Sequence, residues 1–111
     1  MKTSARWGLL ALTASLMCAA PAHAAGDAEA GRHKFYTCVG CHGIPNYNNV
    51  YPTYRVPKLG GQNADYIANA LKEYKSGERS HPTMHAQASS LSDQDVADIA
   101  AFLSTAAEKK E

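Results

Sequence analysis

The chain has 111 residues, 45% of them hydrophobic and 19% charged, with a formal charge of +1. That is room for one small domain. A charge this near balance lacks the basic field that nucleic-acid binding requires, so no nucleic-acid partner is expected.

The first segment reads as a leader. Lys2 and Arg6 give a basic start, Trp7 to Ala20 is an uncharged and mostly apolar run, and Ala22 and Ala24 supply small residues at a cleavage site. The pattern predicts a secretory signal peptide over residues 1–24, cut after Ala24, and a mature domain over 25–111. The apolar run falls short of the roughly 20 residues of a spanning helix, so no stable membrane insertion is expected after cleavage. The alternatives are an uncleaved anchor and lipid attachment at Cys18, the latter disfavoured by Ser15-Leu16-Met17 before it.

The mature segment carries nine bases against ten acids and keeps only Cys38 and Cys41 as cysteines. A core drawn from so few residues is marginal, so a disulfide, a metal or a large cofactor is expected to support it.

Three helices are predicted along it. "DAEAGRHKFY", Asp27 to Tyr36, places acids early and bases late, which suits the helix dipole. Gly31 inside it signals close approach by another backbone, and it shares a face with Phe35. Residues 43–62 hold Pro45, Pro52, Pro57, Gly60 and Gly61 among three asparagines and three tyrosines, and predict a long irregular loop with something to wrap around. Asn63 caps a second helix, "ADYIANALKEYKS", whose Ile67, Ala70, Leu71 and Tyr74 follow helical spacing up to a stop at Gly77. "ERSHPTMHAQASS" reads as another loop. Ser92, with Asp95 three residues on, opens the last helix, whose apolar face is Val96, Ile99, Ala100 and Leu103. No strand is expected, and the fold class is all-α.

Chemistry is concentrated in Cys38-Val39-Gly40-Cys41-His42. Two thiols three residues apart with histidine next is the attachment signature of a c-type haem. The thiols add to two vinyl groups on one porphyrin edge, and His42 turns towards the iron. Other uses of the motif fit less well. Zinc needs four ligands, which would have to be completed from His33, His81 or His85. A thioredoxin-like pair expects a parallel sheet. A structural disulfide leaves His42 unused. Met84, the one methionine of the mature segment, is a candidate second axial ligand, which would raise the reduction potential. His81 and His85 are its competitors, and a core-filling methionine is the bland alternative.

Three stretches, "GDAEAGRHKFYTCVGCHG", "VPKLGGQNADYIANALKEYKSGER" and "LSDQDVADIAAFLS", resemble class I cytochromes c of the short bacterial periplasmic kind, and one half of the dihaem periplasmic cytochromes. The resemblance implies about three main helices wrapped around one covalent haem c, with its iron held by His42 and Met84. It gives the Pro57 carbonyl the role of accepting the His42 N–H, and lays Leu59 on the haem. It also packs Gly31 and Phe35 against the last helix, with Phe102 opposite. Tyr47, Tyr51, Tyr54 and Arg79 become candidates for the haem propionates. The implied function is periplasmic electron transfer, not catalysis, between a periplasmic or membrane-bound reductase and an oxidase. The alternative is a haem enzyme subunit or ligand sensor with an open or labile sixth position.

Overall fold

The computed structural model describes residues 25–43, 47–50 and 53–106. The expected leader with Cys18, the tail after Ala106, and loop positions 44–46 and 51–52 lie outside these residues.

Helix α1 (Ala28–Lys34) starts at Asp27, whose carboxylate accepts from the Glu29 and Ala30 amides at 2.9 and 3.2 Å. These are two of the donors that a first turn leaves without partners. A 3₁₀ turn (Phe35–Thr37) leads into the single-turn helix α2 (Val39–His42), which carries Cys41 and His42, with Cys38 at its N-cap. Helix α3 (Ala64–Ser76) is capped by the Asn63 side chain, which accepts from the Tyr66 amide at 3.0 Å, and ends at Gly77 with φ 85°. Helix α5 (Asp93–Thr105) opens on a full capping box: Asp95 N–H donates to Ser92 Oγ at 3.1 Å, and Ser92 N–H donates to Asp95 Oδ2 at 2.8 Å.

Two elements depart from the sequence expectation. Strands β1 (Asn48–Val50) and β2 (Thr53–Arg55) form an antiparallel hairpin that pairs Asn48 with Arg55, Asn49 with Tyr54 and Val50 with Thr53. The ladder runs on through Val56 N–H to the Tyr47 carbonyl at 3.0 Å. Strands of three residues are too short to show a period of two, and asparagine is poor in strands, so the region reads as irregular. The stretch expected to be a loop around Met84 contains helix α4 (Pro82–Ala88). Pro82 stands at its first position, where the missing N–H costs nothing, and its cap is a histidine, a residue outside the usual cap set. With the single-turn α2 counted as well, five α-helices and one small sheet stand among the described residues where three helices and no strand were expected.

Helix α5 is the hub. Both α1 and α3 pack on it, and α4 packs on α3. Ile67, Ile99, Ala100 and Leu103 form the buried cluster, flanked by Phe35, Leu59 and Phe102. The Phe35 and Phe102 rings meet at 5.7 Å between centroids.

The α1–α5 crossing explains Gly31. A Cβ at that position would lie 1.9 Å from the Asp98 carbonyl oxygen, and one at Gly26 would lie 2.0 Å from that of Ala97. Beside the crossing the Asp98 carboxylate, only 3% exposed, accepts from Asp27 N–H at 2.8 Å, Gln94 Nε2 at 2.7 Å and Lys34 Nζ at 2.5 Å. Lys34 also pairs with Asp95 at 2.8 Å. The Lys34 ammonium, followed by the Asp27 and Gln94 donors, holds the Asp98 carboxyl below its usual range. Lys34 and then Ser92 do the same to Asp95. The two carboxylates in turn raise the Lys34 ammonium.

Two outcomes follow from this crossing. Alanine in a helix interior normally stabilises relative to glycine by about 1 kcal/mol. Gly31→Ala is expected to reverse that sign and cost about 1–3 kcal/mol by forcing α1 off α5, read as a lower thermal midpoint in circular dichroism. Because the Asp95 and Asp98 values are lowered by folding, their stabilisation is present above about pH 4 and is lost as pH falls below it. Asp98→Asn is therefore expected to lower stability at neutral pH and to flatten its fall in acid, measured by denaturant titration across that range.

Candidate functional site

A cleft of about 490 Å³ opens between α2, the segment after β2, α3, α4 and the inner face of α5. Its floor is the core itself, because Ile67, Ile99 and Leu103 line it as well as forming the buried cluster. The volume lies within the usual range for ligand sites. Cys38, Cys41, His42, Pro57, Leu59 and Met84, separated by up to 46 positions in sequence, all reach this one cleft.

The α2 turn explains the motif spacing. Cys38 N-caps the turn and Cys41 lies within it, so both sulfurs border the cleft, the first half-buried and the second exposed. Burial pushes the Cys38 thiol up. Cys38 and Cys41 are not joined to each other as a disulfide.

The His42 ring is oriented by the loop. Its Nδ1 lies 2.8 Å from the Pro57 carbonyl oxygen. A carbonyl only accepts, so Nδ1 carries the proton and donates, and Nε2 keeps its lone pair for a metal. Leu59, two residues on, is half-buried between core and cleft.

The three candidates for the other iron position separate by the same logic. His81 lines the cleft, but its Nδ1 accepts the Met84 amide N–H at 3.3 Å, which puts the ring proton on Nε2. His85 donates Nδ1–H to the Tyr74 carbonyl at 2.8 Å and so has the coordinating tautomer, but its side chain is exposed and not part of the cleft wall. Met84 is half-buried on the wall, and its thioether sulfur carries no proton to lose before it can bind a metal. Among the described residues no three His, Cys, Asp or Glu side chains gather as a metal cluster, so the zinc arrangement finds no support.

Of the residues proposed for propionates, Tyr54 and Arg79 line the cleft. Arg79 lies over the Tyr74 ring at 5.0 Å and donates to Tyr66 Oη at 3.3 Å. Tyr47 is not on the wall, and Tyr51 lies outside the described residues. Sequence reasoning missed Val56, Lys58 and Gln62 as wall residues. Their signal was present only as proximity to Pro57 and Leu59.

Residues 28–107 match the family model described as Cytochrome c. The chain belongs to the cytochrome c family. Cytochrome c-554(548) of Halomonas halodenitrificans is 44% identical over 84 residues, spanning 73% of this chain and 98% of the relative. Cytochrome c4 of Pseudomonas aeruginosa is 40% identical over 97 residues, 87% of this chain but 47% of the relative, so the chain spans about half the length of that protein. The crystal structure of reduced recombinant cytochrome c4 from Pseudomonas stutzeri superimposes with a TM-score of 0.59 at 25% identity, covering 75% of this chain and 52% of that one. The fold is that of class I cytochromes c, and the cofactor of the family is covalently bound haem c with its iron.

The cleft fits that group in three respects: an apolar floor, a thiol pair at one rim, and an imidazole held with its free nitrogen available. Since the floor is also the core, the protein without haem lacks one side of its interior. The double variant Cys38→Ala, Cys41→Ala is expected to lose covalent haem and most of its helical circular dichroism at 25 °C. Retention of the full helical signal without haem would refute that dependence.

Proposed function

We propose that this cytochrome c is a periplasmic carrier of single electrons, with haem c linked through Cys38 and Cys41 and its iron held by His42 and Met84. Bound haem supplies a one-electron ferric/ferrous couple. The chain supplies the rest: two thioether anchors, a fixed imidazole, a thioether sulfur, and low-dielectric walls.

The observation that carries the reading is the tautomer pattern. Of the three histidines near the cleft, only His42 combines a place on the wall with a proton on Nδ1 and a free Nε2. That leaves the Met84 sulfur as the suitable partner on the α4 wall. If His42 and Met84 both held the iron, no place on the metal would remain for substrate or oxygen, which favours a carrier over an enzyme. Its partners are then other redox proteins of the same compartment, a reductase on one side and an oxidase on the other. Export rests on the leader pattern in residues 1–24. No helix among the described residues is long and apolar enough to cross a membrane.

The decisive measurement is a visible and near-infrared spectrum of the oxidised holoprotein, taken with the intact mass of exported material. The expected result is a mass starting at Ala25 with one haem added, and a sulfur-to-iron charge-transfer band. Met84→Ala should abolish the band and lower the reduction potential by on the order of 0.1 V, a fraction of the roughly 0.8 V over which axial ligands tune haem. A high-spin spectrum in the unmutated protein would favour an open sixth position, and with it a ligand sensor or enzyme subunit.

A further inference from the structure

We infer that His81, clamped between Tyr54 of the hairpin and Tyr74 of α3, is a positioning residue for Met84 and sets how firmly the sulfur stays in place. This rests on Met84 being the ligand.

The His81 side chain is the N-cap of α4, and the amide it caps is that of Met84 itself. The cap therefore fixes the backbone from which the thioether extends. Its geometry depends on the ring being held. Tyr54 meets the His81 ring edge-on at 4.7 Å between centroids, and Tyr74 meets it at 6.1 Å, both at 79° between planes. Two near-perpendicular aromatic contacts leave the imidazole little freedom to turn its Nδ1 away.

The neighbours of Met84 are tied down from the same two elements. Tyr54 Oη donates to Thr83 Oγ1 at 3.1 Å. His85 Nδ1 donates to the Tyr74 carbonyl at 2.8 Å. Residues 81 and 83 before Met84 and residue 85 after it are thus each anchored outside α4. A helix of seven residues is too short to hold its own shape, so these outside anchors define where its first turn lies. The hairpin, absent from the sequence reading, acquires a role here as one jaw of the clamp.

The test is displacement of the sulfur by imidazole in the oxidised holoprotein, followed through the charge-transfer band. His81→Ala is expected to raise the apparent imidazole affinity by about tenfold, the worth of one good cap. His81→Asn, which restores an N-cap acceptor, should bring most of that back. Tyr54→Phe, which deletes only the hydroxyl, should raise affinity by a smaller factor. Ser92→Ala, which removes a cap on α5 away from the cleft, should lower the thermal midpoint and leave imidazole affinity unchanged. If Met84→Ala binds imidazole no better than the unmutated protein, the ligand assignment fails and the positioning role falls with it. If Met84→Ala binds it much better while His81→Ala does not, the ligand assignment stands and the positioning role alone is refuted. An affinity in His81→Asn equal to that in His81→Ala would likewise refute the cap as the cause.

Discussion

Helices α1 and α5 cross so closely that the Asp98 carbonyl occupies the space a Cβ on residue 31 would need. Everything on the cleft side depends on that contact. It brings Phe35 onto Phe102 and sets the direction in which the chain leaves α1 through the 3₁₀ turn into α2. The thiol pair and His42 thus inherit their position from a crossing in which they take no part. The buried Asp98 carboxylate secures the same crossing from the side, collecting donors from Asp27, Lys34 and Gln94 on both helices. A carboxylate this deep is tolerable because every donor faces it in hydrogen-bonding geometry.

The site is assembled from parts that are individually weak. Helix α2 is one turn long, α4 has seven residues, and the strands have three each. None would persist in isolation. They are held by contacts between elements: the Pro57 carbonyl on His42, Tyr54 on Thr83 and His81, and Tyr74 on His81 and His85. The two long helices, α3 and α5, provide the frame on which the small pieces are hung.

This division explains what could be read from the residues alone. Both long helices show helical spacing of apolar residues and conventional caps at Asn63 and Ser92, and those signals are local. The haem motif is local too, as is the glycine at position 31, whose presence inside a helix announces a near neighbour. The hairpin and α4 escaped because their reasons are distant in sequence. Tyr54 is placed by Thr83, 29 residues away, and α4 is capped by a histidine that owes its orientation to rings on two other elements. The candidate site residues drew notice through their chemistry, whereas the contacts that orient them belong to the folded chain. The tautomers of His42, His81 and His85 are of this kind, since each is decided by a backbone group that spacing does not reveal.

The Asp27–Asp98 hydrogen bond joins positions 71 residues apart. Contacts of such separation are slow to form, because the intervening chain must first be ordered. Helix α1 has nothing to cross until residues 93–105 have been synthesised. A nascent polypeptide therefore keeps Cys38 and Cys41 outside any finished enclosure through most of its synthesis.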